Sequence, residues 1–217
     1  MIERIGIKRR KAGALPALAA VTAFCALTLC GCVSAGARLG RLPPAAIDPQ
    51  TEYLLPVFVI PAEDDENGPA FVFVEESRDG AHGLLEITVV FVDEDHPSRF
   101  VDGVYDIYRR FKYGRVADVE TFFIGFDPAS GVVLSLRFDG TYAGDQPFDL
   151  GPVTHLSAQI EASRIELYGE GQRPVIYVTT WNHMFREAPL DPGMDTIVVN
   201  AYPLLGGDRE FVETFFK

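Results

Sequence analysis

Three observations predict an all-β, mainly antiparallel fold: a single-domain β-sandwich or barrel with few short helices, after an N-terminal signal peptide. First, runs rich in β-branched and aromatic residues recur from about residue 50 to the C-terminus, punctuated by Gly, Pro, Asp and Asn. Second, polarity alternates with a period of two where it is easiest to read. Leu134, Leu136 and Phe138 interleave with Ser135, Arg137 and Asp139, as in a strand with one wet face. Third, no stretch shows a long, clean apolar stripe at helical spacing.

The elements follow in order. Residues 1–13 carry Arg4, Lys8, Arg9, Arg10 and Lys11 against Glu3, and residues 14–29 carry no charge at all. A basic stretch, an apolar stretch and then small residues is the layout of a secretory signal peptide. The apolar run is also short for a bilayer span, which needs about 20 residues. Residues 1–31 are therefore expected to be a signal, residues 32–49, with their small residues, Gly and Pro, a flexible tether, and residues 50–217 the folded domain.

Leu29-Cys30-Gly31-Cys32 ends the signal and resembles the bacterial lipobox: Leu at −3, a small residue at −1 and Cys at +1. The resemblance implies a diacylglycerol thioether on Cys32, cleavage before it, and further acylation with chains such as palmitate. Two or more acyl chains hold a protein stably on a membrane where one is marginal. All three cysteines (Cys25, Cys30, Cys32) lie in or at the edge of the signal, so the mature chain has no disulfide to form.

The predicted strands are Tyr53–Ile60, Ala70–Glu75, Leu84–Asp93, Phe100–Phe111, Val119–Asp127, Val132–Asp139, Arg164–Tyr168, Val175–Trp181, Thr196–Tyr202 and Glu210–Phe216. Asp127 to Gly131 reads as a hairpin turn, with Gly131 free to take positive φ, and Asn67-Gly68 reads as another. Residues 153–163 are compatible with a strand or a short helix.

From Cys32 onward there are 14 basic and 30 acidic residues. Such a surface repels phosphate backbones, and no basic patch interleaved with aromatics is present, so nucleic acid is not an expected partner. It repels anionic headgroups too, so the lipid on Cys32 is expected to do the anchoring. Catalytic signatures are missing as well. The chain has no G-x-S-x-G elbow and no phosphate-binding G-x-x-x-x-G-K-[ST], and the four histidines show no close metal spacing. Glu63 to Gly68 matches the first half of a calcium loop, but position 12 is Val74, and a solvated turn is the better reading.

Gly114-Arg115-Val116-Ala117-Asp118-Val119-Glu120 resembles the heptapeptide G-H-R-H-D-W-E of the necrosis-inducing-protein-like family, matching at Gly, Asp and Glu. Two further stretches resemble that family: a strand ending in Asp93, and Pro174–Val178 followed shortly by His183. The resemblance implies a β-sandwich holding a divalent cation, with Asp93, Asp118 and Glu120 as the acids. The family's ligand His falls on Arg115, and a guanidinium cannot ligate a metal. Arg115 is therefore expected to stand in for the cation as a salt-bridge partner. Trp181, Asn182 and His183 at a strand end are the candidate pocket lining. The expected function is a membrane-anchored binding or envelope-interaction module with no cofactor. The alternative is a metal-assisted hydrolase, or cation-dependent binder, centred on Asp118, Glu120 and His183. Its location would be the extracytoplasmic envelope, in the outer membrane if the host has one. The protein or small-molecule partner is not written in the sequence.

Overall fold

The computed structural model describes Leu42 and residues 49–149, 151, 153–169 and 173–216. The expected signal peptide, Cys32 and nearly all of the expected tether lie outside the described residues. After a short helix α1 (Pro49–Glu52) come β1 (Val57–Pro61), a 3₁₀ segment (Ala62–Asn67), β2 (Pro69–Asp79) and β3 (His82–Phe91). Then follow α2 (Arg99–Tyr113), β4 (Val119–Asp127), β5 (Val132–Tyr142), β6 (Leu156–Glu161) and β7 (Leu167–Tyr168). The chain continues through β8 (Arg173–Val178), β9 (Phe185–Arg186), β10 (Thr196–Val199), β11 (Leu204–Gly206) and α3 (Arg209–Thr214).

The fold is a β-rich single domain with few short helices. Its strands form one mixed sheet in the order β10-β1-β8-β9-β5-β4-β3-β2-β11, with β6 added on β5 and β7 on β8. The centre is an antiparallel meander from β2 to β5. Parallel pairings of β1 with β8 and of β11 with β2 extend it on both sides. Twisted sheets this wide curl, and here the pairing also breaks register at Gly125/Phe126 and between Phe138 and Tyr142. Curling brings Phe58, Ile87, Phe122, Phe138, Ile176 and Phe185 into one core. A smaller cluster, including Phe73, Val90, Val119 and Leu205, is closed by Val212 of α3 and Phe216. Val72 and Phe73, and likewise Val89 and Val90, belong to different clusters because neighbours on a strand face opposite ways. Each large apolar side chain fully buried contributes about 1.5–3 kcal/mol.

Two predicted strands are helices. Phe100–Phe111 lies within α2, where Phe100, Val104, Ile107 and Phe111 do recur at helical spacing, contrary to the reading above, and Glu210–Phe216 overlaps α3. In α3 the Asp208 side chain accepts from the Phe211 N–H as an N-cap, which the strand reading overlooked. The Asn67-Gly68 turn is not a hairpin either, since β1 pairs with β8 and β10 while β2 pairs with β3 and β11. The Asn67 amide donates instead to the carboxylates of Asp64 and Asp95, 3.0 and 2.9 Å away. The predicted turn at Asp127 does join β4 to β5, with Gly131 at φ 67°. The ambiguous stretch 153–163 contains the strand β6.

Candidate functional site

Four loops converge beside the end of β3. The Phe91 N–H donates to the Asp118 carbonyl at 2.8 Å, pinning the entry to β4 against the exit from β3. Around that junction stand Asp64 from the 3₁₀ segment, Asp93 and Glu94 after β3, Arg109 of α2, Asp118, and His183 after β8.

His183 is the keystone. The turn Thr180–His183 is closed by the His183 N–H donating to the Thr180 carbonyl, and by the Met184 N–H donating to Thr180 Oγ1. This leaves His183 at φ 56°, the one non-glycine residue with positive φ among those described. A non-glycine residue held there carries strain on the order of 1 kcal/mol, which the packing around the ring must hold. The ring stacks on Phe91 with centroids 4.0 Å apart and planes at 4°. Nδ1 lies 3.1 Å from Asp118 Oδ2, and Nε2 lies 3.4 Å from Asp64 Oδ2. Burial alone would lower the imidazole pKa, but the bonds to Asp118 and then Asp64 outweigh it and raise it to about 9. His183 is thus an imidazolium at neutral pH, with both nitrogens turned to carboxylates.

Arg109, 2% exposed, supplies the second buried positive charge. Its Nη1 lies 3.5 Å from both Asp93 Oδ1 and Glu94 Oε2, and its Nη2 lies 3.6 Å from Asp118 Oδ1. Burial raises the Asp93 carboxyl to about 6, helped by the charge of Asp106. Burial, and then the charge of Asp118, raises Glu94 to about 9, so Glu94 is a neutral acid at neutral pH. Asp118 is held well below the usual carboxylate range. Burial opposes this, but the bonds from His183 and Glu94 and the charges of His183 and Arg109 prevail.

Of the residues expected to hold a cation, Asp93 and Asp118 meet around Arg109, while Glu120 stands apart. It lines an open cleft of about 500 Å³ with Glu86, Thr121, Asp139, His155 and Arg209. Burial, followed by the charge of Asp118, pushes the Glu120 carboxyl well above its usual range, against the pull of Arg209. Arg115 does not sit on Asp118. Its guanidinium pairs with Glu213 at 3.2 Å and bonds the Ala117 carbonyl, so the counter-cation of the acids is Arg109. The reason is directional: Arg115 follows Gly114, whose left-handed φ of 72° turns the chain away from α2 toward the C-terminal helix. Trp181 and Asn182 are buried in the turn that aims His183. The indole meets the rings of His96 and Tyr105, and the Asn182 side chain accepts from Thr180 Oγ1 at 2.8 Å. Cys32 lies outside the described residues.

Sequence reasoning missed Arg109 and Glu94, and it placed Asp64 in a solvated turn, whereas the structure buries Asp64 and Asn67. Only the helical spacing of α2 could have signalled Arg109, by setting it opposite the apolar stripe with Asp102 and Asp106. Among the described residues no group of three or more His, Asp or Glu is placed to hold a metal ion. No helix among them is long and apolar enough to cross a membrane.

No family model matches the chain, and no curated protein matches it. Solved structures similar to it include NLPPya in complex with mannosamine and NLPPya in complex with glucosamine. Each has a TM-score of 0.43 and 10% identity, covering 77% of this chain and 79% of that one. NLPPya is a necrosis-inducing-protein-like protein, the family whose heptapeptide Gly114–Glu120 resembles. At this identity and score, no ligand, activity or residue role passes from it to this chain.

Proposed function

We propose that the chain is a lipid-anchored, extracytoplasmic binding module of the bacterial envelope, held by acyl groups on Cys32 and without catalysis of its own. The observation that supports the non-catalytic part is the mutual pairing of the buried charges at the loop junction. Arg109 and His183 face Asp64, Asp93 and Asp118, while Glu94 is a neutral acid. These groups are turned to one another, as in a structural ion network, and no Ser, Cys or Lys stands among them. The anchor rests on the signal layout and on Leu29-Cys30-Gly31-Cys32.

The convergence of Asp118 and His183 at 3.1 Å also favours a second reading, a cation-dependent binder or hydrolase involving these residues and Glu120. Calorimetry and thermal melts with Ca²⁺, Mg²⁺ and Zn²⁺ separate the two. We expect no heat of binding and unchanged melting, with Arg115→His equally indifferent because Arg115 is paired with Glu213. A saturable stabilisation of about 2.7 kcal/mol at 100-fold excess of ion over its dissociation constant would favour the second reading. For the anchor, labelled palmitate should enter the wild type and Cys30→Ser but not Cys32→Ser.

A further inference from the structure

We propose that α2 is an interfacial helix that lays its apolar face on a lipid surface bearing anionic headgroups; this rests on the envelope reading above and gives it a partner. At 3.6 residues per turn, Phe100, Val104, Ile107, Tyr108 and Phe111 fall on one stripe. A helix on a soluble domain buries such a stripe and wets the opposite face. α2 does the reverse. Phe100 is 82% exposed, Val104 56% and Phe111 88%, whereas its one buried residue is Arg109. The opposite face is tied inward. Asp102 accepts from the His96 N–H, Tyr105 meets Trp181, and Arg109 enters the acidic junction.

Charge identifies the occupant. From Cys32 onward the chain has 14 basic residues, and Arg99, Arg110 and Lys112 lie on α2 outside the junction that takes Arg109, while its acids are Asp102 and Asp106. Asp106 Oδ1 is buried, so the acids of α2 lie on its inner side. Arg110 and Lys112 flank the stripe on either side, and the Lys112 ammonium rests 5.1 Å over the Tyr108 ring and 4.8 Å over that of Tyr113. Apolar residues flanked by basic ones, with tyrosines at the boundary, are the composition of a helix lying in a membrane interface. A second copy docked face to face would set basic residues against basic residues, while anionic headgroups complement them. The acidity of the rest of the domain does not prevent this, because charges beyond about 8 Å are largely screened at physiological ionic strength.

The test uses the full chain carrying Phe111→Trp, added to phosphatidylcholine vesicles with and without phosphatidylglycerol and with brominated acyl chains. Phe111 is largely exposed, so the new indole fits without repacking. Val132→Trp, in the hairpin at the far end of β4, is the control. We expect the indole at 111 to be quenched and blue-shifted on phosphatidylglycerol vesicles, the control to stay bright, and added Phe100→Asp to abolish the quenching. A chain that sediments with vesicles while the 111 indole stays bright overturns the docking and leaves the anchor standing. Quenching of the 111 indole together with palmitate uptake by the Cys32→Ser chain does the opposite. Equal quenching without phosphatidylglycerol overturns the headgroup assignment. A concentration-dependent blue shift without vesicles overturns the lipid in favour of a second copy.

Discussion

His183 and Glu94 both bind protons more tightly in the folded chain than in the unfolded one, and that sets how stability changes with pH. The imidazole, raised to about 9, contributes stability that is complete below its unfolded value near 6.5 and is lost as pH rises through 9. Glu94, raised to about 9, and Asp93, raised to about 6, act in the same direction: folding takes up their protons, so stability falls as pH rises. Asp118 acts the other way, losing its contribution as pH drops below the ordinary carboxylate range. Urea titrations from pH 3 to 9.5 should therefore show a maximum near the ordinary carboxylate range and a decline from there upward. The decline above it should follow about 1.4 kcal/mol per pH unit for each proton taken up. Glu94→Gln should flatten that decline and stabilise the chain at pH 8, and an unchanged slope would show that Glu94 is ionised in the fold. Asp118 was legible beforehand, because a carboxylate at the start of a strand reads as polar whatever surrounds it. Its partners were not, because Arg109 and Asp64 reach it from segments separated in sequence and joined only by tertiary packing.

At the scale of elements, β4 was readable to its bounds while α2 was read as a strand, and the two share a cause. Phe122, Ile124 and Phe126 point to the core at period two, so pattern and burial agree. In α2 the pattern is helical, but Phe, Val, Ile and Tyr favour strands by propensity, and the stripe faces outward, where no core enforces it. The helix is instead defined at its end. Gly114 takes φ 72°, its N–H donates to the Arg110 carbonyl, and a Cβ there would lie 2.1 Å from the Phe216 carbonyl oxygen. Gly114→Ala should cost more than the roughly 1 kcal/mol of a left-handed alanine alone, since the C-terminus must move as well. Chemical denaturation should show this, with α2 amides exchanging faster than those of β4. A loss below 0.5 kcal/mol would mean that the close approach relaxes freely.

For the whole molecule, the order of the strands matters more than their number. Far-ultraviolet dichroism should be dominated by strand, and melts with and without reductant should coincide, since the only cysteines are Cys25, Cys30 and Cys32. A second consequence concerns time. Arg173 bonds the carbonyls of Leu55 and Pro56, its partner Leu55 lying 118 residues earlier, and β1 finds its neighbours only in β8 and β10. The edge of β2 likewise waits for β11. Closing loops of this length before any contact rewards them makes folding slow. A chain still emerging from its N-terminus has a meander to form but no partner for β1 and no cover for Val90 and Val119. Such a chain stays loose until nearly its last residues are free, the condition in which a polypeptide can still be threaded through a narrow pore.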